Sequence, residues 1–174
     1  MNARECRLSK PMIDILVNQI NNEMQNYGLY RSIQNLFALE GIADLEEYYR
    51  KRAMEEFNHQ QWIIDYLNYQ DAEYTMPAID HHKDKVESML QAFEVTVDAE
   101  IRTTAQIQAI YKLANEEGDT FTRLWLDDKL GLEQLEEESV SRTALDIFRL
   151  EDTNILTRAK MILALLDEDK NPAD

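Results

Sequence analysis

The 174-residue sequence has little glycine, proline or cysteine and far fewer basic than acidic residues. With only 4 Gly and 3 Pro, it lacks the many turns that an all-β fold requires. Its single cysteine, Cys6, excludes an intrachain disulfide and indicates a reducing, cytoplasmic compartment. The composition, 44% hydrophobic and 30% charged, is instead typical of a soluble helical protein.

Long apolar segments are also missing. The first ten residues, MNARECRLSK, contain no apolar run, and we therefore expect no signal peptide. The longest apolar run, MILALL at 161–166, is far too short to span a bilayer. We expect no membrane partner.

The charge is strongly acidic, because 34 Asp and Glu oppose 18 Lys and Arg for a formal net charge of −16. Such a chain is poorly suited to bind nucleic acid or an anionic membrane, but it is compatible with cations. A solvated acidic surface that binds no ligand is the alternative interpretation of this composition.

Hydrophobic spacing predicts four long helices in an all-α bundle. Helix A begins at Ser9, with Pro11 in its first turn, and ends before Gly41. Helices B, C and D cover about 42–69, 83–117 and 120–150. The A–B and C–D connections are short, whereas the B–C connection is long. This order predicts two antiparallel pairs joined by a long crossover.

Further segments flank the predicted bundle, which we place at 9–150. Residues 1–8 form an N-terminal extension. A short fifth helix, at about 153–166, lies within the segment 151–167, and a flexible tail covers 168–174. The fifth helix has two open interpretations, an end cap on the bundle or a contact between subunits.

Polar residues interrupt the inward-facing stripe of every predicted helix. Positions spaced alternately by three and four residues mark this stripe. In helix C it also includes Leu90. The polar members include Glu23 and Gln34 in helix A, Arg52, Glu56 and His59 in helix B, Glu100 and Thr104 in helix C, and Gln134, Glu137 and Ser141 in helix D.

Several carboxylates that meet at one level inside a bundle need cations. An uncompensated buried carboxylate costs several kcal/mol or shifts its pKa until it is neutral. Arg52 is one possible partner, but its position lies a turn away and it supplies a single charge. A pair of metal ions compensates better, and oxygen ligands with one imidazole favour iron or manganese. Alternatively, the glutamates turn outward or pair with arginine.

Taken in order, these residues resemble the bacterial non-haem ferritins of the ferritin-like di-iron superfamily. The resemblance covers about residues 9–150. It rests on Glu23, on EEFNH at 55–59, on Glu100 and on EQLEEE at 133–138. The steps of 33 residues from Glu23 to Glu56 and 44 from Glu56 to Glu100 fit the family. A lone E-x-x-H is weak, whereas the ordered set is specific.

The resemblance implies a di-iron centre and a role for each matching residue. Glu23, Glu56 and His59 match the ligands of a first iron. Glu56 would bridge to a second iron, held by Glu100 and Glu137 with Gln134 beside it.

Two further features follow from the same resemblance. A third iron site is matched by Glu55, Glu133, Glu136 and the shared Glu137. Tyr30 matches a tyrosine that donates an electron to the oxidation site, although an ordinary core aromatic is the alternative interpretation.

Related families differ at identifiable positions. Bacterioferritins and rubrerythrins repeat E-x-x-H late in the chain, but the corresponding position here is Glu137. Bacterioferritins bind haem through a Met directly after the bridging glutamate, and Phe57 stands there instead. We therefore expect no haem.

One departure predicts a local distortion. The step from Glu100 to Glu133 is one residue longer than in close bacterial relatives, and Gly131 lies just before the site. An extra residue in a helix is usually absorbed as a π-bulge. We predict a π-bulge or kink near 128–132. Lys129 also replaces an aromatic that some bacterial ferritins carry, which argues against a tyrosine–tryptophan electron path.

The resemblance implies iron storage with ferroxidase activity. Fe(II) would be oxidised by O2 inside the bundle, and the ferric mineral would be stored in a hollow homo-oligomer of 24 subunits. The fifth helix would then pack at the four-fold axis. The alternatives are a di-iron oxidoreductase or peroxidase of the rubrerythrin type without a cage, and a structural acidic bundle with a vestigial site.

Overall fold

A computed structural model describes residues 5–79 and 85–168. This part of the chain is all-α, as the composition predicts, and no strand occurs in it. The predicted tail, 168–174, lies outside it except for its first residue. The helices are α1 (Lys10–Leu39), α2 (Ala43–Tyr69), α3 (Met89–Glu117), α4 (Thr120–Leu126), α5 (Leu132–Phe148) and α6 (Ile155–Glu168).

The start of α1 confirms the predicted capping. The side chain of Ser9 accepts a hydrogen bond from the backbone N–H of Met12 at 3.1 Å, and Pro11 lies in the first turn. The helix ends before Gly41, whose φ of +71° lies in the left-handed region that favours glycine. The chain therefore reverses sharply into α2.

The prediction that helix C begins near 83 is wrong, since α3 begins at Met89. Residues 80–84 lie outside the described part, and 85–88 are not helical. The Ser88 side chain accepts a hydrogen bond from the N–H of Gln91, whose own side chain accepts one from the N–H of Glu87 at 2.7 Å. This S-x-x-Q capping motif marks the start of the helix.

The predicted π-bulge is confirmed, because a π-helical turn at Asp127–Gly131 joins α4 to α5. Tyr111 of α3 packs directly against Gly131 and donates a hydrogen bond to Asp127 Oδ1 at 2.7 Å. A Cβ atom on Gly131 would lie 2.3 Å from Tyr111 Oη. A side chain at position 131 would therefore require the Tyr111 hydroxyl to move.

Helix α1 packs against α2, and α3 packs against α5. One hydrophobic cluster brings together Phe37 near the end of α1, Tyr49 in the first half of α2, Phe93 near the start of α3 and Phe148 at the end of α5. Helices α1 and α5 therefore run in one direction, and α2 and α3 in the other. This arrangement is the predicted one, with α1 and α2 as one antiparallel pair, α3 and α5 as the other, and a long connection between the two pairs.

A second hydrophobic cluster fills the other half of the bundle and includes Leu16, Ile63, Ile107 and Leu130. The bundle has four long elements, which are α1, α2, α3 and the continuous α4–α5 segment. On each of them, the inward-facing polar residues lie between members of the two hydrophobic clusters. The prediction that Leu90 faces inward is wrong. Leu90 is 40% exposed because it lies in the first turn of α3. The bundle thus has two apolar halves around a polar layer.

Helix α6 folds back on its own chain and packs against both α2 and α5. Its buried side chains are Ala159, Ile162 and Leu166. The guanidinium of Arg158 lies 5.2 Å from the centre of the Phe148 ring. Within the described residues, no helix is both long and apolar enough to cross a membrane.

Candidate metal centre

Acidic side chains from α1, α2, α3 and α5 meet at the middle of the bundle, in the polar layer between the two hydrophobic clusters. The glutamates and the histidine of this layer are at most 6% exposed. They are Glu23 from α1, Glu56 and His59 from α2, Glu100 from α3 and Glu137 from α5. The spacing of three and four residues in the sequence therefore predicted their direction correctly.

The E-x-x-H spacing places two ligand types on one face of α2. Residues three apart on a helix project to the same side. His59 Nδ1 lies 3.6 Å from Glu56 Oε2, and His59 Nε2 lies 3.6 Å from Glu137 Oε1. The imidazole thus faces carboxylates of two different helices.

The layer contains two overlapping groups with metal-ligand geometry. Glu23, Glu56 and His59 form one group, and Glu56, Glu100 and Glu137 form the other. Within each group, one ligand atom per residue lies within 4.8 Å of the others. Glu56 belongs to both groups, so its two oxygens can serve neighbouring cations.

Several ligand atoms of this layer have no hydrogen-bond partner among the described residues. They are Glu23 Oε2, both carboxylate oxygens of Glu56, His59 Nε2 and both carboxylate oxygens of Glu137, of which Oε1 has an ion pair with Arg52 but no hydrogen bond. Buried polar atoms are almost always satisfied, because desolvation without a partner costs about 1–3 kcal/mol for each group. These orphaned oxygens and the nitrogen suit a divalent cation that prefers carboxylate and imidazole ligands.

Burial and mutual repulsion favour the protonated form of these carboxyl groups when no cation is bound. Burial raises the pKa of Glu23 well above its ordinary value, and the charge of Glu56 adds to the effect. The pKa of Glu56 is raised for the same reason, with further contributions from Glu100 and Glu137. Burial also raises the pKa of Glu137, to about 8. A cation would exchange with these protons.

Glu100 differs from its neighbours because hydrogen-bond donors surround it. Its Oε2 accepts a hydrogen bond from Gln134 Nε2 at 2.8 Å. Its Oε1 accepts hydrogen bonds from Tyr30 Oη and from Arg52 Nη2. The predicted site residues Tyr30 and Gln134 are thus both in contact with a candidate ligand.

Arg52 corrects the sequence analysis, which placed it a turn away from the carboxylates. Its side chain is 1% exposed and extends to the glutamates of the polar layer, which we call the metal layer from here on. Besides Glu100, its guanidinium contacts Glu137, with Nη1 3.1 Å from Oε1, and Glu55, with Nη1 3.2 Å from Oε2. The available signal was an arginine on the inward stripe, one turn before Glu56, whose side chain is long enough to span that turn.

Beside the layer lies a pocket of about 120 Å³ between α2, α5 and α6. The residues predicted for a third iron, Glu55, Glu133 and Glu136, line it together with Glu137. A further group with metal-ligand geometry joins His59 to Glu133 and Glu137. The sequence spacing gave no signal that His59 lies next to this pocket.

This fold and this site define a class, the four-helix bundles whose helices each supply a carboxylate to one buried metal-binding layer. A family model for the ferritin-like domain matches residues 13–150, and the chain belongs to this family.

Known relatives and structures agree with this assignment. The bacterial non-haem ferritin of Campylobacter jejuni is 29% identical over 146 residues, covering 82% of this chain and 85% of that protein. That of Staphylococcus saprophyticus is 28% identical over 166 residues, covering 94% and 99%. The crystal structure of an open pore ferritin from the archaeon Archaeoglobus fulgidus superimposes with a TM-score of 0.83 at 25% identity, covering 90% of this chain and 98% of that one.

Proposed function

We propose that this protein stores iron and has ferroxidase activity, with Fe(II) and O2 as substrates. The observation that carries the proposal is the shared Glu56, whose two unpaired oxygens lie between two groups of metal-ligating side chains. Two Fe(II) ions held side by side each give one electron to the same O2 molecule. The family membership and the relatives called bacterial non-haem ferritin support this function.

Each group of residues has a defined task in the proposed reaction. Glu23, Glu56 and His59 bind one Fe(II), and Glu56, Glu100 and Glu137 bind the other. The carboxylates favour the product, because hard anionic oxygens stabilise Fe(III) more than Fe(II).

Two neighbouring elements extend this proposal. Glu55, Glu133 and Glu136, in the pocket beside the layer, hold a third iron and lead the ferric product towards the inner surface of a shell. Tyr30 donates a hydrogen bond to Glu100, which places its ring where it can supply an electron. We also propose that 24 chains assemble into this shell, in a cytoplasmic compartment.

Oxygen uptake on addition of Fe(II) tests the proposed activity. Glu56→Gln and His59→Ala should each lower the initial rate by more than about tenfold, the lower end of the loss for disturbed metal-site residues. The variants should assemble like the wild type, because the two apolar halves of the bundle are untouched. Light scattering measures the assembly in the same samples and separates a storage shell from a small di-iron oxidoreductase.

Glu47→Gln is the matched control, since Glu47 lies on the same helix but pairs with Arg50 at the surface. Its rate should equal that of the wild type. Unchanged rates in both Glu56→Gln and His59→Ala would refute the proposed ferroxidase site.

A further inference from the structure

Arg52 is the one lysine or arginine that is buried in the described part of the chain. Burying a guanidinium is costly unless carboxylates compensate its charge. Here it contacts Glu55, Glu100 and Glu137 and lies 5.6 Å from the centre of the Tyr30 ring. Its position inside a layer suited to divalent cations calls for an explanation.

The contacts of Arg52 distinguish the two candidate metal positions of the layer, because Arg52 contacts ligands of only one of them. Two of its partners, Glu100 and Glu137, are ligands of one candidate metal position. Both oxygens of Glu100 already accept hydrogen bonds, one from Arg52 and Tyr30 and the other from Gln134. A metal ion at this position must therefore displace the Arg52 guanidinium from Glu100 and Glu137, although the Glu137 oxygens, like those of Glu56, accept no hydrogen bond among the described residues.

The other candidate position, formed by Glu23, Glu56 and His59, has ligand atoms that are available to bind a cation. Glu23 Oε2, both oxygens of Glu56 and His59 Nε2 have no hydrogen-bond partner among the described residues. A divalent ion can bind these atoms without displacing Arg52, whose ion pairs are to Glu55, Glu100 and Glu137, and it relieves the cost of leaving them unsatisfied.

We propose that Arg52 is a built-in competitor of the second metal ion and so fixes the order of binding. The first divalent ion takes the position formed by Glu23, Glu56 and His59. The second enters only when the guanidinium releases Glu100 and Glu137. Arg52 is thus a positioning residue that acts through the ligands. The inference deepens the proposed function and rests on it.

The structure provides a place for the displaced guanidinium. Arg52 lines the pocket of about 120 Å³ beside the layer, together with Glu55, Glu133 and Glu136. Nη1 already lies 3.2 Å from Glu55 Oε2, and Glu55 is 22% exposed. A rotation of the side chain towards Glu55 would exchange two buried carboxylates for this more exposed one. The positive charge would remain compensated while the second ion binds.

Calorimetric titration of the metal-stripped assembled protein with Co(II) tests the proposal without redox chemistry. In the wild type, the second Co(II) should bind at least about tenfold more weakly than the first, since close buried charge pairs couple by at least that factor. Arg52→Gln should bring the two dissociation constants within about threefold of each other, chiefly by tightening the second. Visible Co(II) absorption identifies the histidine-containing position as the first to fill.

Two variants control this experiment. Arg50→Gln makes the same change two residues away, where the arginine is exposed and pairs with Glu47. It should leave both dissociation constants unchanged. Arg52→Lys should give an intermediate ratio, because a lysine keeps the charge but cannot bridge two carboxylates with a planar fork.

The outcomes separate the two proposals. A wild-type ratio of dissociation constants in Arg52→Gln would overturn the role of Arg52, and O2 uptake by the wild type would leave the ferroxidase proposal standing. Should Arg52→Gln fail to fold, a wild-type ratio in Arg52→Lys overturns the inference equally. No tight Co(II) binding and no O2 uptake in the wild type would reject both.

Discussion

At the scale of single residues, the glutamates of the metal layer are buried although a buried carboxylate is unfavourable. Glu23 illustrates this cost. One oxygen accepts a hydrogen bond from Gln19 Nε2 at 2.8 Å, and the other has no partner among the described residues. Such a carboxyl group weakens the metal-free fold, and its proposed use as a metal ligand accounts for its position between two apolar clusters.

Glu23→Gln should therefore stabilise the metal-free protein. Because the pKa of Glu23 is raised, the native chain holds a proton that the unfolded chain releases above about pH 4.5, so wild-type stability falls as pH rises from there towards the native pKa. Glutamine needs no proton. Urea unfolding should show a gain near zero at about pH 4, which grows to about 1–4 kcal/mol by about pH 7.5.

Added Zn(II) should reverse this order, because only the wild type keeps all ligands and gains the full stabilisation from binding. Glu47→Gln is the control. It removes an exposed carboxylate whose pKa is lowered by a hydrogen bond from Arg50, so its effect should stay within about 0.5 kcal/mol. A Glu23→Gln protein that is less stable than the wild type without metal, at neutral pH, would contradict this account.

Sequence spacing could predict most of this layer, because helical periodicity fixes the direction of each side chain. It placed Glu23, Glu56 and Glu100 towards a common axis, and the structure buries all three. It could not predict the contacts of Arg52. The direction of a Cβ atom does not determine where a flexible side chain of this length places its guanidinium, since that depends on the carboxylates of other helices.

At the scale of elements, the π-helical turn adjusts α5 so that Gln134 and Glu137 face the layer. One extra residue and Gly131 were sufficient to predict it, because a helix has few other ways to absorb an insertion. The start of α3 was mispredicted because a periodic pattern continues into the flanking segment. The S-x-x-Q motif at Ser88 and Gln91 is the local signal that identifies the true start.

Gly131→Ala should destabilise the protein although alanine is the better helix former. The new Cβ would lie 2.3 Å from Tyr111 Oη and 3.3 Å from the carbonyl oxygen of Leu126. Overpacking of this kind costs about 1–3 kcal/mol. Tyr111→Phe removes the hydroxyl and should restore stability to Gly131→Ala, where alanine then gains up to about 1 kcal/mol of helix propensity.

A double-mutant cycle of the two substitutions, measured by thermal unfolding, isolates this contact. Tyr111→Phe alone should cost little, because the hydrogen bond that it removes, to Asp127, is exposed. Additive effects of the two substitutions would show that the contact between Tyr111 and Gly131 does not maintain the turn.

At the scale of the whole molecule, α6 is the helix through which we expect the bundle to contact other subunits of the proposed shell. Its inner face covers α2 and α5 of its own chain, a packing that periodicity could not predict because an apolar stripe does not identify its partner. Outside that face, Leu156 is 57% exposed on one side of the helix and Met161 is 43% exposed on another. Apolar residues on both faces of a short helix are typical of an element that also contacts another subunit.

Leu156→Glu tests whether this outer face joins subunits at the proposed four-fold axis. A charge there should reduce the particle mass well below the roughly 490 kDa expected for 24 chains of 20.4 kDa, while the helix content stays that of the wild type. Thr157→Glu introduces the same charge four residues before Met161, on the same outer face of α6, and should also reduce the particle mass. Mass photometry and circular dichroism on the same samples measure both quantities. A full-sized particle from Leu156→Glu would mean that α6 serves its own bundle alone and that other surfaces hold the shell together.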